Sequence, residues 1–283
     1  MMMAQRSRSV VQLDIDTIEE FVARPDRGSQ SGWRAGDAWL GGGTWLYSEP
    51  QPNLRRLIDL DGFGWPALTL TAEALVVSAT AKIRELHDFE PPADWRSSGL
   101  IAQCCEALLG SFKIWNMATI GGNMCLALPA GPMTSLAAGL DAACVIWTAD
   151  GGERRMAAAE FVTGDRRTAL RPGELLRAIE FRIENFRARS AFRQVSLTPR
   201  GRSAALLIGL LDDDGRFALT ITASTKRPVR LVFAGVPDAD ALAEAIAEAV
   251  PDALLHDDIH GRPDWRRMLT FMLAEEVRAD LLA

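Results

Sequence analysis

The sequence is poor in the features that most often announce a function. Cysteine occurs four times in 283 residues, at Cys104, Cys105, Cys125 and Cys144, with no C-x-x-C spacing and no following pair of histidines. It therefore encodes neither a zinc nor an iron–sulfur site. The adjacent Cys104-Cys105 pair does not readily bridge, and all four thiols read as reduced core residues of a reducing compartment. Basic runs do not exceed pairs such as Arg154-Arg155 and Arg166-Arg167, and the formal net charge is −6, which argues against a nucleic-acid footprint. The longest apolar runs, such as Ala204 to Leu211, are strand-length and far short of the ~18 residues that span a bilayer. Met1 to Val10 is polar and basic with no apolar stretch behind it, unlike a secretory signal. A cytoplasmic protein of about two domains is expected.

What the sequence does have is two glycine knots, Leu40-Gly41-Gly42-Gly43-Thr44 and Thr119-Ile120-Gly121-Gly122-Asn123. Consecutive glycines form turns whose amides point inward and let a phosphate approach the main chain. Both knots are read as following strand-like runs, Ala38-Trp39-Leu40 and Ile114 to Ala118, and both as leaving amides free for an anion. Neither is a G-x-G-x-x-G or Walker pattern. Taken alone each is as well explained as a corner, but a pair can enclose the two phosphates of a dinucleotide, with Thr44 and Asn123 as side-chain donors.

Around the knots the pattern is mixed. A strand over Val11, Leu13 and Ile15 is expected to lead into a helix starting at Asp16 to Glu20. Strands are expected at Leu57 to Leu60, Leu68 to Thr80, Ala143 to Trp147 and Phe181 to Ile183, and helices at Ala81 to Phe89, Gly99 to Leu109 and Thr134 to Leu140. Beyond the polar stretch Glu184 to Arg189, strands Ala204 to Leu211 and Phe217 to Ala223 flank a hairpin signal at Asp212-Asp213-Asp214-Gly215. Helices at Asp238 to Val250 and Pro263 to Leu282 close the chain. The fold class is α+β.

The motifs resemble those of the FAD-binding subunit, or middle domain, of the molybdenum hydroxylases, the family of xanthine dehydrogenase and carbon monoxide dehydrogenase. The resemblance rests on Gly41-Gly42-Gly43-Thr44 followed by Leu57-Ile58-Asp59-Leu60, on Ala118-Thr119-Ile120-Gly121-Gly122-Asn123, on Arg171-Pro172-Gly173-Glu174-Leu175-Leu176 and on Ser190-Ala191-Phe192-Arg193. It implies a two-subdomain FAD-binding fold of the vanillyl-alcohol-oxidase or PCMH type (residues 1–60 and 61–184), then a C-terminal α+β domain (190–283) of antiparallel sheet plus helices. It places FAD against Leu40, Gly41, Gly42, Gly43, Thr44, Trp45 and Leu46 and against Thr119, Ile120, Gly121, Gly122 and Asn123, with Leu176 and Arg193 near the flavin ring. It also implies a large molybdopterin-binding subunit, a small subunit with two [2Fe–2S] clusters, and an external electron acceptor: NAD, oxygen, a quinone or a carrier protein. The present chain would be the electron-transfer oxidoreductase subunit of such a heterotrimer, and a cation at Arg193 would stabilise reduced flavin.

Two positions depart from the family pattern. Pro132 stands where a Pro-x-x-Asp acid is usual, leaving Thr134 or Ser135 to replace its hydrogen bond. Trp45 stands where an Asp often follows the first knot, as a cover for the cofactor or as a core aromatic. A self-contained flavin reductase, and a module that keeps the fold without FAD, stay open as alternatives. His256 and His260 have the i, i+4 spacing of a helical metal pair but no third ligand, so no metal site is expected. His87 has no visible partner, and no Ser-His-Asp or Cys-His arrangement is evident.

Overall fold

The computed structural model describes residues 17–30 and 32–283. The expected strand over Val11 to Ile15 and the Asp16 cap lie outside the described residues. Among the described residues the chain forms three sheets and one two-stranded ribbon.

The first sheet is parallel, in the order β1-β3-β2, from β1 (Glu20–Val22), β2 (Asp37–Leu40) and β3 (Arg56–Asp59). A strand therefore replaces the helix expected to start by Glu20. The competing interaction is visible: the Glu19 and Glu20 amides donate to Arg55 O at 2.7 and 3.1 Å. Central β3 buries Leu57 and Ile58. Leu40 lies opposite Asp59 in register, so the first knot leaves the sheet at the carboxyl ends of its strands, where open α/β sheets bind ligands.

The second sheet is antiparallel, β4-β5-β10-β6-β7, built from β4 (Leu68–Leu70), β5 (Ala74–Ser78), β6 (Ala143–Trp147), β7 (Glu153–Ala157) and β10 (Leu175–Arg182). The single strand expected over Leu68 to Thr80 is thus a hairpin. Thr71 turns it, its hydroxyl accepting from the Glu73 and Ala74 amides at 3.2 and 3.0 Å. Between β5 and β6 run α1 (Ile83–His87), α2 (Gly99–Ala107), α3 (Phe112–Met117), α4 (Ile120–Leu126) and α5 (Pro132–Gly139). Every residue of α5 is buried, which explains its small-residue composition: a helix enclosed all round needs no polar face. Then α6 (Ala158–Phe161) leads into the ribbon β8 (Val162–Gly164) and β9 (Arg167–Thr168).

The polar stretch before the last module carries a short helix, α7 (Ile183–Arg187). It is followed by an antiparallel sheet, β11 (Arg189–Ser196), β12 (Ser203–Leu211), β13 (Phe217–Thr222) and β14 (Val229–Phe233), with α8 (Ala239–Ala249) and α9 (Pro263–Leu282). β12 is apolar without alternation because both of its faces are covered. Leu206, Ile208 and Leu210 join the core of the second sheet, while Ala205 and Leu207 join a second core with α8 and α9. Glycines mark both contacts. A Cβ on Gly139 of α5 would stand 2.8 Å from Ile208 Cδ1, and one on Gly209 of β12 would stand 2.3 Å from Val277 Cγ1 of α9. Among the described residues no helix is long and apolar enough to cross a membrane.

Candidate functional site

The two knots meet. A Cβ on Gly42 would fall 1.6 Å from Met117 O, and one on Gly41 2.9 Å from Thr119 Oγ1, so the first knot is pressed on the backbone that enters the second. Close approach, the property only glycine supplies, is what fixes these residues. Gly43 also needs its freedom, with φ of 67°. Together the knots border an open cavity of about 650 Å³, within the range of small-molecule and cofactor sites.

The knots differ in what they offer that cavity. The amides of Gly42, Gly43, Thr44 and Trp45 donate to no group among the described residues, nor does the Thr44 hydroxyl. All four residues line the cavity. The second knot is instead the first turn of a helix, and its amides from Ile120 to Asn123 are spent. Ile120 N donates to Ala81 O at 2.9 Å and Gly121 N to Ala79 O at 3.0 Å. Thr119 caps α4, its hydroxyl accepting from Gly122 N at 2.9 Å, and Asn123 N donates to Thr119 O. This corrects the expectation that both knots present free amides and that both follow strands: the run before the second is α3. The residues that bear on the cavity are Thr119, Gly122 and Asn123, while Ile120 and Gly121 are buried behind it. Asn123 Oδ1 accepts from Met133 N at 3.1 Å, which leaves its amide nitrogen as the donor on that side.

Leu40 and Leu46 line the cavity with Trp45, and Trp39 joins them. The Trp39 indole donates to Glu174 O at 3.0 Å. The Glu174 side chain is itself buried and receives Arg154 Nε at 3.0 Å, Arg154 Nη2 at 2.6 Å and Arg171 N at 2.9 Å. The Arg154 hydrogen bonds outweigh burial and hold its carboxyl below the ordinary 4.5. A group whose pKa is depressed by folding binds fewer protons folded than unfolded, so its stabilisation is present above pH 4.5 and is lost as pH falls through the lower folded value. Glu174→Gln is expected to cost about 2 kcal/mol at neutral pH and to flatten the acid limb of stability against pH, as measured by urea unfolding at a series of pH values.

Leu176 and Arg193 are not among the lining residues. Leu176 is buried in β10 opposite Ile146. Arg193 faces α9, pairing with Glu276 at 2.9 Å and with Asp280, and the Asp280 hydrogen bond raises its pKa further. Thr134 and Ser135 are buried in α5 and do not line the cavity either. Ser135 shares a hydrogen bond with Thr222 at 2.7 Å. Pro132, at the position of the missing acid, does line it.

The wall past the second knot is held under backbone strain. Ala127 (φ 51°), Arg166 (φ 54°) and Ala223 (φ 65°) are left-handed without being glycine, a cost that clusters at functional sites. Arg166 N donates to Ala127 O at 2.9 Å and Ala223 N to Pro129 O at 3.0 Å, pinning the segment that carries the lining residues Leu128, Ala130 and Gly131.

Cys104, Cys105 and Cys144 are buried as expected, but Cys125 opens on the cavity. The protein around it nevertheless pushes its thiol up to about 12, so it stands as a neutral side chain and not a thiolate. His256 and His260 do not share a helix: Asp258 and Gly261 close a turn between α8 and α9. His256 lies 3.4 Å from Asp258, which also binds Arg266. His87 has partners, Asp88 at 3.0 Å and the Trp115 ring at 5.0 Å. Among the described residues no group of three or more His, Cys, Asp or Glu is placed to hold a metal ion.

Residues 35–181 match the model of the FAD-binding domain in molybdopterin dehydrogenase. The chain belongs to that family. Solved structures of similar fold include quinoline 2-oxidoreductase from Pseudomonas putida 86 (20% identity, 93% of this chain and 96% of that one, TM-score 0.72). They also include the reconstituted CO dehydrogenase of Oligotropha carboxidovorans (22%, 93% and 98%, TM-score 0.76). A third is the Hydrogenophaga pseudoflava CO dehydrogenase that lacks the Mo-pyranopterin moiety (18%, 92% and 96%, TM-score 0.75). No curated protein matches the chain. The family fold is α+β, the FAD-binding part followed by an antiparallel sheet with helices, as its motifs imply. The cavity suits the family's dinucleotide on a feature found in this chain: a run of open amides on the first knot, in residues that line it.

Proposed function

We propose that this chain is the FAD-binding electron-transfer subunit of a multi-subunit molybdenum-containing hydroxylase or dehydrogenase. It receives electrons from [2Fe–2S] clusters on a small partner subunit, downstream of a molybdenum cofactor on a large one, and passes them to an external acceptor. The observation that carries the reading is the row of four open amides, Gly42 to Trp45, in residues that line a cavity in a chain of this family. Bound FAD would supply the redox chemistry, the protein supplying position and electrostatics.

In this reading Leu40, Gly41, Gly42, Gly43, Thr44, Trp45 and Leu46 hold the cofactor on one side, and Thr119, Gly122 and Asn123 on the other. Ile120 and Gly121 set the second loop against Ala79. The Gly42 to Trp45 amides donate to phosphate oxygens, and Thr44 Oγ1 and Asn123 Nδ2 add side-chain donors. The apolar lining, including Leu108, Ile114 and Leu126, keeps water from the ring system. The same reading divides the chain into units at 1–60, 61–184 and 190–283 and sets the complex in the cytoplasm.

The purified chain is expected to carry or take up one equivalent of FAD, and to co-purify with a molybdopterin-binding and a cysteine-rich subunit when the three are expressed together. A colourless protein that cannot be reconstituted with FAD overturns the reading. FAD uptake with flavin reductase turnover by the isolated chain, and no partners, points to the self-contained enzyme.

A further inference from the structure

Two arginines reach the cavity wall from outside both knots. Arg166 stands in the tight connection between β8 and β9, and Arg202 ends the loop between β11 and β12. Their guanidinium carbons lie 5.3 and 5.5 Å from the centre of the Trp45 ring, a cation–π distance that steers a flexible cation to one place. Trp45 carries the last of the four open amides, so the cations stand beside the anion-ready backbone.

The lining has one other charged residue, Glu49. It lies 3.7 Å from Arg166, while Arg202 has no ion-pair partner among the described residues. The lining thus carries a net charge of +1 in a chain whose formal net charge is −6. Arg166 adds a second argument. Its left-handed backbone would be adopted more cheaply by Gly or Asn, so the turn geometry does not account for an arginine there.

Resting on the FAD reading, we infer that Arg166 and Arg202 form a clamp on the cofactor's diphosphate. The planar guanidinium fork matches phosphate oxygens. Arg166 exchanges Glu49 for the ligand, and Arg202 brings the β11–β12 loop of the C-terminal sheet onto the site. The diphosphate then holds together three segments distant in sequence: the first knot, the β8–β9 turn and the β11–β12 loop.

The test is titration of the flavin-free full-length chain with FAD and with riboflavin, which lacks the diphosphate, at several salt concentrations. Arg202→Gln and Arg166→Asn are each expected to weaken FAD about tenfold or more and to leave riboflavin unchanged, with a shallower salt dependence than wild type. Arg166→Asn relieves the backbone, so its melting temperature should hold or rise while its affinity falls, which a structural role does not produce. Glu49→Gln should tighten FAD. Equal weakening of FAD and riboflavin, or unchanged FAD affinity in both arginine variants, overturns the clamp. A wild-type chain that binds neither flavin overturns the cofactor reading and the clamp with it, whereas riboflavin bound as tightly as FAD overturns the clamp and the phosphate role of the Gly42 to Trp45 amides but leaves a flavin site.

Discussion

Gly42→Val is expected to leave the protein unable to retain FAD. The first atom of the new side chain would sit 1.6 Å from Met117 O and 2.5 Å from Met117 C. The obstacle is main chain, which cannot swing aside as the end of a side chain can. The loop must withdraw from Ala118 and Thr119, and the amides of Gly42 to Trp45 lose the direction on which a phosphate site depends. We expect a stability loss of about 3 kcal/mol, the upper part of the usual overpacking range, and FAD affinity down by about a hundredfold or more. Gly121→Val acts in the same direction from behind, its Cβ meeting Ala79 Cβ at 2.5 Å and Ala79 O at 2.7 Å. Gly99→Ala is the control: it opens α2 with nothing within 4 Å and should leave flavin content unchanged. The flavin-to-protein absorbance ratio after gel filtration, read with the urea midpoint, decides among these outcomes.

Arg266→Met should be the most destabilising change in the C-terminal module, costing about 3–5 kcal/mol. The side chain is buried at 1% exposure. It donates to Ala204 O and Ala223 O at 2.6 Å each, to Gly261 O at 3.0 Å and to Asp258. It therefore ties β12, the exit of β13 and the turn before α9 to one point. Methionine fills much of the volume but takes away the donor that three carbonyls and a carboxylate share, and unmade hydrogen bonds in the interior cost more than made ones contribute. Lysine should restore little, since a single ammonium cannot reproduce the fork. Urea unfolding of the three proteins checks the order wild type, Arg266→Lys, Arg266→Met.

Elements whose pattern was long or strongly punctuated were legible in the sequence. The β12–β13 hairpin, α8, α9 and the small-residue α5 stand where their periodicity and turn residues put them. Short ambiguous runs were not. Ile114 to Ala118 has the apolar content of a strand, yet it is helical up to Met117, with the Trp115 and Ala118 amides closing onto Ser111 and Ile114. Thr-Ile-Gly-Gly-Asn was legible as a motif but not as a conformation. Gly121 serves the packing of a helix start on Ala79 and Gly122 the close approach of the Thr119 cap, which demand the same residue type as an amide nest and so cannot be told from one in letters. Arg166 and Arg202 carried no local signal, because what gathers them at Trp45 is tertiary: a ribbon turn docked on Ala127 and a loop delivered by the C-terminal sheet.

β12 has consequences for how this chain reaches its native state. Its hairpin with β13 is a local event, closed by a short turn and able to form early. Its two faces, however, are dried by partners on opposite sides in sequence, α5 before it and α9 after it. Until both arrive, a nine-residue apolar strand remains partly wet, and the contacts that finish it are the slow, sequence-distant kind. A chain still lacking α9 would thus carry a C-terminal sheet whose face toward that helix is uncovered.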